Sequence, residues 1–234
     1  FNKKKNKSIK MKKKILISTG GSGGHVIPAI TIHDHLRNNY EVMISTDLRG
    51  LKYLDKENYK FFLIDTPRLN KLILLPLTIL RVFFLTLKSL FLLKKNKIDI
   101  LISTGGYMSL PLCLAARILK IKFFLLEPNM IIGRANKFFL KFCEKIICYD
   151  NNIINFPKRF KNKLVVLSPL IRKKYYEKNL KLKIDKIFTV IVIGGSQGAQ
   201  VFDKLLQESF VKISKIKTLK VIHQTNKENI NFLK

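Results

Sequence analysis

The chain has 234 residues, enough for one large domain or for one domain and part of another, and 47% of them are apolar, which excludes a disordered chain. Its 45 Lys and Arg against 15 Asp and Glu leave a formal charge of +30, which favours polyanions such as nucleic acid, anionic lipid or phosphorylated substrates. Heavy use of Lys, Asn, Ile and Phe is also what an AT-rich genome produces, so charge alone does not select the partner.

Residues 1–10, FNKKKNKSIK, are almost wholly polar and are expected to stay outside the fold, with Met11 before Lys12, Lys13 and Lys14 as the natural start. The apolar run that follows is too short for a secretory signal and reads instead as a strand over 15–19, ILIST. Gly20, Gly21, Gly23 and Gly24 then turn the chain into a helix over 25–36. Further strands are predicted over 40–45, 60–64, 98–103, 122–126, 145–149 and 165–167, with a helix after Gly105 and Gly106 to about Leu119 and another between 126 and 145. Strands alternating with helices predict a parallel sheet covered on both faces.

The segment 69–93 is intensely apolar but carries Lys71, Arg81 and Lys88, and Pro76 falls in its longest uncharged run, Leu72 to Leu80. That run is far below the roughly 18–20 residues of a membrane span. Two readings stand: a buried helix of the domain, or a helix whose outer face dips into the bilayer interface with cations on anionic head groups.

From 169 to 186 the chain is lysine-rich with little apolar periodicity and reads as a linker. The pattern restarts with a strand over 188–193, a turn at Gly194, Gly195 and Gly198, a helix over 201–213 and a strand over 219–223. Two strands hardly bury a sheet on both faces, so a chain truncated in its second unit is expected.

Cys113, Cys143 and Cys148 are odd in number and match no zinc spacing, so buried free thiols are expected. No His or Asp spacing suggests a metal. His33, His35 and His223 are read as structural.

Chemistry is concentrated in the glycine turns. A strand, a glycine turn and a helix N-terminus together offer close backbone approach, unpaired amides and a positive dipole end, all suited to a diphosphate. A dehydrogenase would add an acid at the end of the second strand, where Asp47 stands, but its G-x-G-x-x-G fingerprint fails at Val26. No Gly-Lys-Ser/Thr follows, which excludes a Walker loop. Two such turns, one opening each α/β unit, suggest two phosphorylated ligands and group transfer between them.

Four segments carry a family resemblance. GGSGGHVIPA at 20–29, TGGYMSLP at 104–111, LEPNMIIGRANK at 126–137 and GGSQGA at 194–199 resemble motifs of the MurG family, in that family's order and spacing. The resemblance implies an α/β fold of GT-B type, two Rossmann-like domains facing a cleft, the second incomplete here. By the same resemblance, 11–168 is the acceptor and membrane-docking domain and 187–234 part of the donor domain. The implied activity is inverting transfer of N-acetylglucosamine from UDP-GlcNAc to the 4-hydroxyl of the muramoyl-pentapeptide of lipid I. It implies a peripheral location on the cytoplasmic face of the bacterial inner membrane, an anionic membrane surface as partner, and no cofactor or metal.

Carried over by position, Ser22, Gly23, Gly24, Asn129 and Ser196 match donor-binding residues, and His25 and Glu127 match residues of the cleft. His25, then Glu127, are the candidate bases. The family's Asn-Pro-Val-Arg is Ser168-Pro169-Leu170-Ile171-Arg172 here, which displaces the arginine by one and leaves Arg172 as the donor-binding candidate. Blander readings stay open: His25 at a helix start, Glu127 neutralising nearby lysines, Asn129 as a turn residue. Alternative functions are another GT-B lipid glycosyltransferase or a non-catalytic membrane-docked half needing a separate donor subunit. A nucleic-acid binder would need a recognition helix or a basic motif interleaved with aromatics, and neither is present.

Overall fold

The computed structural model describes residues 12–67, 75–175, 187–194, 200–225 and 229–230. The chain divides into two compact units, Phe1–Glu177 and Lys178–Lys234.

The first unit holds a seven-stranded sheet: β1 (Lys14–Ser18), β2 (Glu41–Thr46), β3 (Phe61–Leu63), β4 (Ile100–Ser103), β5 (Lys122–Glu127), β6 (Ile146–Cys148) and β7 (Leu164–Val166). Every pairing is parallel, in the order β3-β2-β1-β4-β5-β6-β7. The chain winds outward from β1 to β3, returns to β4 and winds the other way, so the order reverses between β1 and β4. Loops leaving the carboxyl ends of strands on either side of such a reversal splay apart and open a crevice.

Alternation along each strand serves two cores at once. Leu16, Met43 and Leu101 point into one core with Leu93, Leu112 and Phe139. Ile15, Ile17, Val42 and Ile102 point into the other with Ala29. This double burial makes the strands read as unbroken apolar runs, and each predicted strand lies within two residues of the observed one. The apolar rows end in a polar one: Ser18 pairs in register with Ser45 and Ser103, all buried, where the carboxyl-end loops begin.

Helices α1 (Gly23–Leu36), α2 (Leu75–Lys95), α3 (Leu110–Ile118) and α4 (Arg134–Phe139) complete this unit. Cys113, Cys143 and Cys148 are free and buried, as expected.

In α2, the stretch Pro76–Lys95 is long and apolar enough to cross a bilayer by length and composition. The uninterrupted apolar run in the sequence had suggested less. One side of the helix is nevertheless seated on the domain, with Thr78, Thr86, Ser89, Leu92 and Leu93 buried. The inward hydroxyls of Thr86 and Ser89 donate to carbonyls one turn back, Val82 O and Leu85 O, both at 2.8 Å, so their burial leaves no donor unpaired. The larger apolar side chains face out: Leu77, Ile79, Leu80, Phe83, Phe84, Leu87 and Phe91 are exposed, Phe91 at 67%. The helix is thus packed on the domain along one side and leaves an apolar face exposed on the other. Its earlier part, residues 68–74, lies outside the described residues.

The second unit contains β8 (Phe188–Val192) and β9 (Leu219–His223), paired in parallel, and α5 (Gln200–Ser214). In the first turn of α5 the buried Asp203 accepts from Thr225 Oγ1 and Asn229 Nδ2, each at 2.7 Å, and pairs with His223 Nε2 at 2.8 Å. The Thr225 and Asn229 hydrogen bonds hold its carboxyl below the usual range. His223 thus has a structural partner, in line with its sequence reading.

Candidate active site

Three loops leave the carboxyl ends of β1, β4 and β5 side by side and enclose a cavity of about 500 Å³. It is lined by His25, Gly106, Tyr107, Glu127, Asn129 and Arg134, with Leu110, Gly133, Ala135 and Phe138.

The first loop turns through Gly20 and Gly21 into Ser22, the exposed residue that precedes α1. Gly21 has φ 78°, a backbone conformation that strains residues with a Cβ, and a Cβ there would also displace the tip of Met108. The turn is held from below by Asp47, fully buried at the end of β2. Its Oδ1 accepts from the amides of Gly21 and Gly50, each at 2.8 Å, and its Oδ2 accepts from Arg49 Nε at 3.1 Å. Burial raises the Asp47 carboxyl, but the Gly21 amide, Arg49 and the Gly50 amide together outweigh it and leave it below the usual range. Asp47 thus shapes the glycine turn, a role the sequence did not suggest: there it stood only as the acid of the discarded dehydrogenase pattern.

His25 sits in the first turn of α1, with Nδ1 2.6 Å from the Thr104 carbonyl oxygen. A carbonyl only accepts, so Nδ1 carries the proton, and in the neutral ring Nε2 is left with its lone pair. A Cβ on Gly106, whose φ is 81°, would lie 3.6 Å from that Nε2. The same Cβ would run into Met108 Sδ, so Gly106 lets the Met108 side chain pack against the loop beside the imidazole. Thr104 is fixed in turn: its amide donates to Ser18 O at 3.0 Å and its hydroxyl to Thr19 Oγ1 at 2.9 Å. The reversal between β1 and β4 is what brings His25 and Thr104, 79 residues apart, into contact.

Glu127 ends β5 and is 2% exposed. Four donors fill its carboxylate. Oε1 accepts from Asn129 Nδ2 at 2.9 Å and the Asn129 amide at 3.3 Å, while Oε2 accepts from the Gly133 amide at 2.8 Å and Asn136 Nδ2 at 3.0 Å. Among the described residues it pairs with no lysine. The acid is the hub on which the loop from Asn129 to Asn136 is wound, and Asn129 is exposed on the rim of that loop.

The structure thus gathers His25, Glu127 and Asn129 at one cavity, with Ser22 and Gly24 at the exposed start of α1 and Gly23 packed on Tyr53. Arg172 is half-buried beyond β7 and does not line the cavity; its carbonyl accepts from the Tyr175 amide at 2.9 Å. Ser196 lies outside the described residues. Tyr107, Arg134 and Asn136 belong to the site without having been singled out in the sequence, although all three fall within the motif segments 104–111 and 126–137. Among the described residues no three His, Cys, Asp or Glu are grouped to hold a metal ion.

A parallel α/β unit with its cavity at the strand-order reversal has the architecture of the GT-B class. The description "Glycosyltransferase family 28 N-terminal domain" matches residues 15–148. A transferase of Pelagibacter ubique is 52% identical over 95% of this chain and 62% of its own length. Its name is UDP-N-acetylglucosamine--N-acetylmuramyl-(pentapeptide) pyrophosphoryl-undecaprenol N-acetylglucosamine transferase. The Rickettsia canadensis protein of the same name is 36% identical over 84% of this chain and 56% of its own length. The crystal structure of Acinetobacter baumannii MurG superposes with a TM-score of 0.71 at 23% identity, covering 94% of this chain and 63% of that one. UDP-GlcNAc 2-epimerase from Neisseria meningitidis gives 0.59 at 13% identity, covering 94% of this chain and 74% of that one. The chain belongs to glycosyltransferase family 28 and, within it, to the MurG family. It spans less than two thirds of the length of these two curated relatives.

Proposed function

We propose that the protein acts as an inverting glycosyltransferase that moves N-acetylglucosamine from UDP-GlcNAc to the 4-hydroxyl of a muramoyl-pentapeptide carried on a polyprenyl diphosphate. The names of the Pelagibacter and Rickettsia relatives support the substrates. The observation that carries the chemistry is His25: its Nδ1 is committed to Thr104 O and its Nε2 stands beside Gly106 on the cavity. The acceptor oxygen attacks the anomeric carbon as the bond from that carbon to the UDP oxygen breaks. The hydroxyl proton passes to His25 Nε2, and the imidazolium formed is stabilised by the hydrogen bond already made to Thr104. The charge arriving on the leaving diphosphate is met by loop amides and a helix N-terminus.

Ser22, Gly23, Gly24, Asn129, Arg172 and Ser196 are assigned to the donor. Glu127, already engaged by four donors, is assigned the task of shaping its loop, and His25 alone that of the base. Residues 11–168 receive the acceptor, and 187–234 belong to the donor domain. The exposed apolar face of α2, with Arg81, Lys88, Lys94 and Lys95 along the same helix, docks peripherally on the anionic cytoplasmic surface of the inner membrane. The acceptor's lipid tail remains in the bilayer, so its sugar must be met at that surface.

His25→Ala, in a chain extended to the length of the Pelagibacter relative, lowers kcat by about 10²-fold or more with the affinity for UDP-GlcNAc nearly unchanged. Transfer of radiolabelled sugar measures it; a kcat within about twofold of the parent rejects the reading.

A further inference from the structure

The cavity carries one arginine, which is exposed to solvent. Arg134 lies on its wall, and among the described residues no carboxylate comes within 4.0 Å of the guanidinium. Glu127, the acid among the lining residues, does not serve it, because both its oxygens are filled by Asn129, Gly133 and Asn136. Tyr107, Leu110 and Phe138 give the same cavity apolar surface. A guanidinium presents a planar fork of donors that matches a carboxylate with two parallel hydrogen bonds, and it is weakly enough hydrated to do so beside apolar groups. Charge also separates the candidate ligands. One arginine and no lysine line the cavity, which balances a single carboxylate, whereas a diphosphate brings at least two negative charges.

Under the function proposed above, the acceptor carries a peptide arm, and peptides present carboxylates. We propose that Arg134 is a specificity-determining residue that reads a carboxylate on the acceptor's peptide arm, with Tyr107, Leu110 and Phe138 packing on the aliphatic part next to it. The inference rests on the acceptor reading of this cavity.

Because every lining residue lies in the first unit, binding to the chain itself tests the inference. The probes are N-acetylmuramyl-alanyl-glutamate and the same compound with its carboxylates converted to carboxamides, titrated while backbone amide signals of Gly106 and Phe138 are followed by NMR. The parent chain binds the carboxylate form about tenfold more tightly, as one charge-assisted pair provides. Arg134→Ala binds both forms with the weaker affinity, and Arg134→Lys keeps part of the preference because it retains the charge without the fork. If the parent binds both forms equally, or Arg134→Ala keeps the full preference, Arg134 does not read the carboxylate and the acceptor reading stands without it. If neither form moves the Gly106 and Phe138 signals, the acceptor reading of the cavity falls and the inference with it.

Discussion

Two buried carboxylates organise the carboxyl edge of the first unit's sheet in different ways. Asp47, at the end of β2, holds the first glycine turn with two backbone amides and the cation of Arg49. Glu127, at the end of β5, holds its loop with neutral donors only, two of them asparagine side chains. An acid surrounded by amides that all donate cannot be replaced by its own amide without turning one donor against others. An acid paired with an arginine faces donors only as well, but Arg49 is 30% exposed and can turn to solvent, which leaves the amide's oxygen for the two backbone donors. A buried acid near a cavity can thus be held by a counter-ion, as Asp47 is, or by neutral donors alone, as Glu127 is.

The difference is open to breaking. Glu127→Gln is expected to cost most: its new NH₂ faces the Gly133 amide or an asparagine NH₂, and the loss is about 3 kcal/mol, a fall in Tm on the order of 6–12 °C by differential scanning calorimetry. Asp47→Asn loses less, about 1–2 kcal/mol at neutral pH. Its pH dependence sharpens the contrast. The Asp47 carboxyl is depressed in the folded state from an ordinary 3.8, so its contribution is fully present above that value and is lost as pH falls through the lower folded one. Melting curves of parent and Asp47→Asn should therefore be farthest apart at neutral pH, begin to approach each other only as pH falls below 3.8, and meet only below the depressed folded value.

A smaller effect on stability is expected outside the site. Ile79, Phe83 and Phe84 are exposed on α2, so changing all three to Ser should leave Tm within about 2 °C and markedly reduce sedimentation with anionic vesicles. A collapsed melting transition would instead make these side chains part of the core. The smallest effect is on the thiols. Burial pushes Cys113 up to about 12 and Cys148 up to about 11, and raises Cys143, so native protein at pH 8 should consume almost no Ellman's reagent until denaturant is added.

The sheet was legible because burial on both faces leaves a plain signal, as in ILIST at 15–19 and ILIS at 100–103. The glycine turns were legible because glycine is favoured where φ turns positive, as at Gly20, Gly21, Gly105 and Gly106. What stayed hidden depends on long-range geometry. Nothing local announces that Thr104 offers its carbonyl to His25, since that contact exists only because β1 and β4 are adjacent. Glu127 was singled out, but its hydrogen bonds were not foreseen, because the four donors come from a loop folded back by up to nine residues. The two faces of α2 were blurred for a similar reason: apolar residues lie on both, Leu92 and Leu93 inward beside buried hydroxyls and Phe83, Phe84 and Phe91 outward, so no polar face marks the outside.

The central claim is that His25, and not Glu127, takes the acceptor's proton. Imidazole rescue tests it most directly, in a His25→Ala enzyme extended to the length of its relatives. Added imidazole should occupy the vacated space beside Gly106 and raise the transfer rate in proportion to its concentration, while leaving a Glu127→Gln enzyme unaffected. A His25→Ala enzyme that loses turnover and gains nothing from imidazole, beside a Glu127→Gln enzyme that folds normally but is rescued by added acetate or formate, would contradict the account and move the base to Glu127.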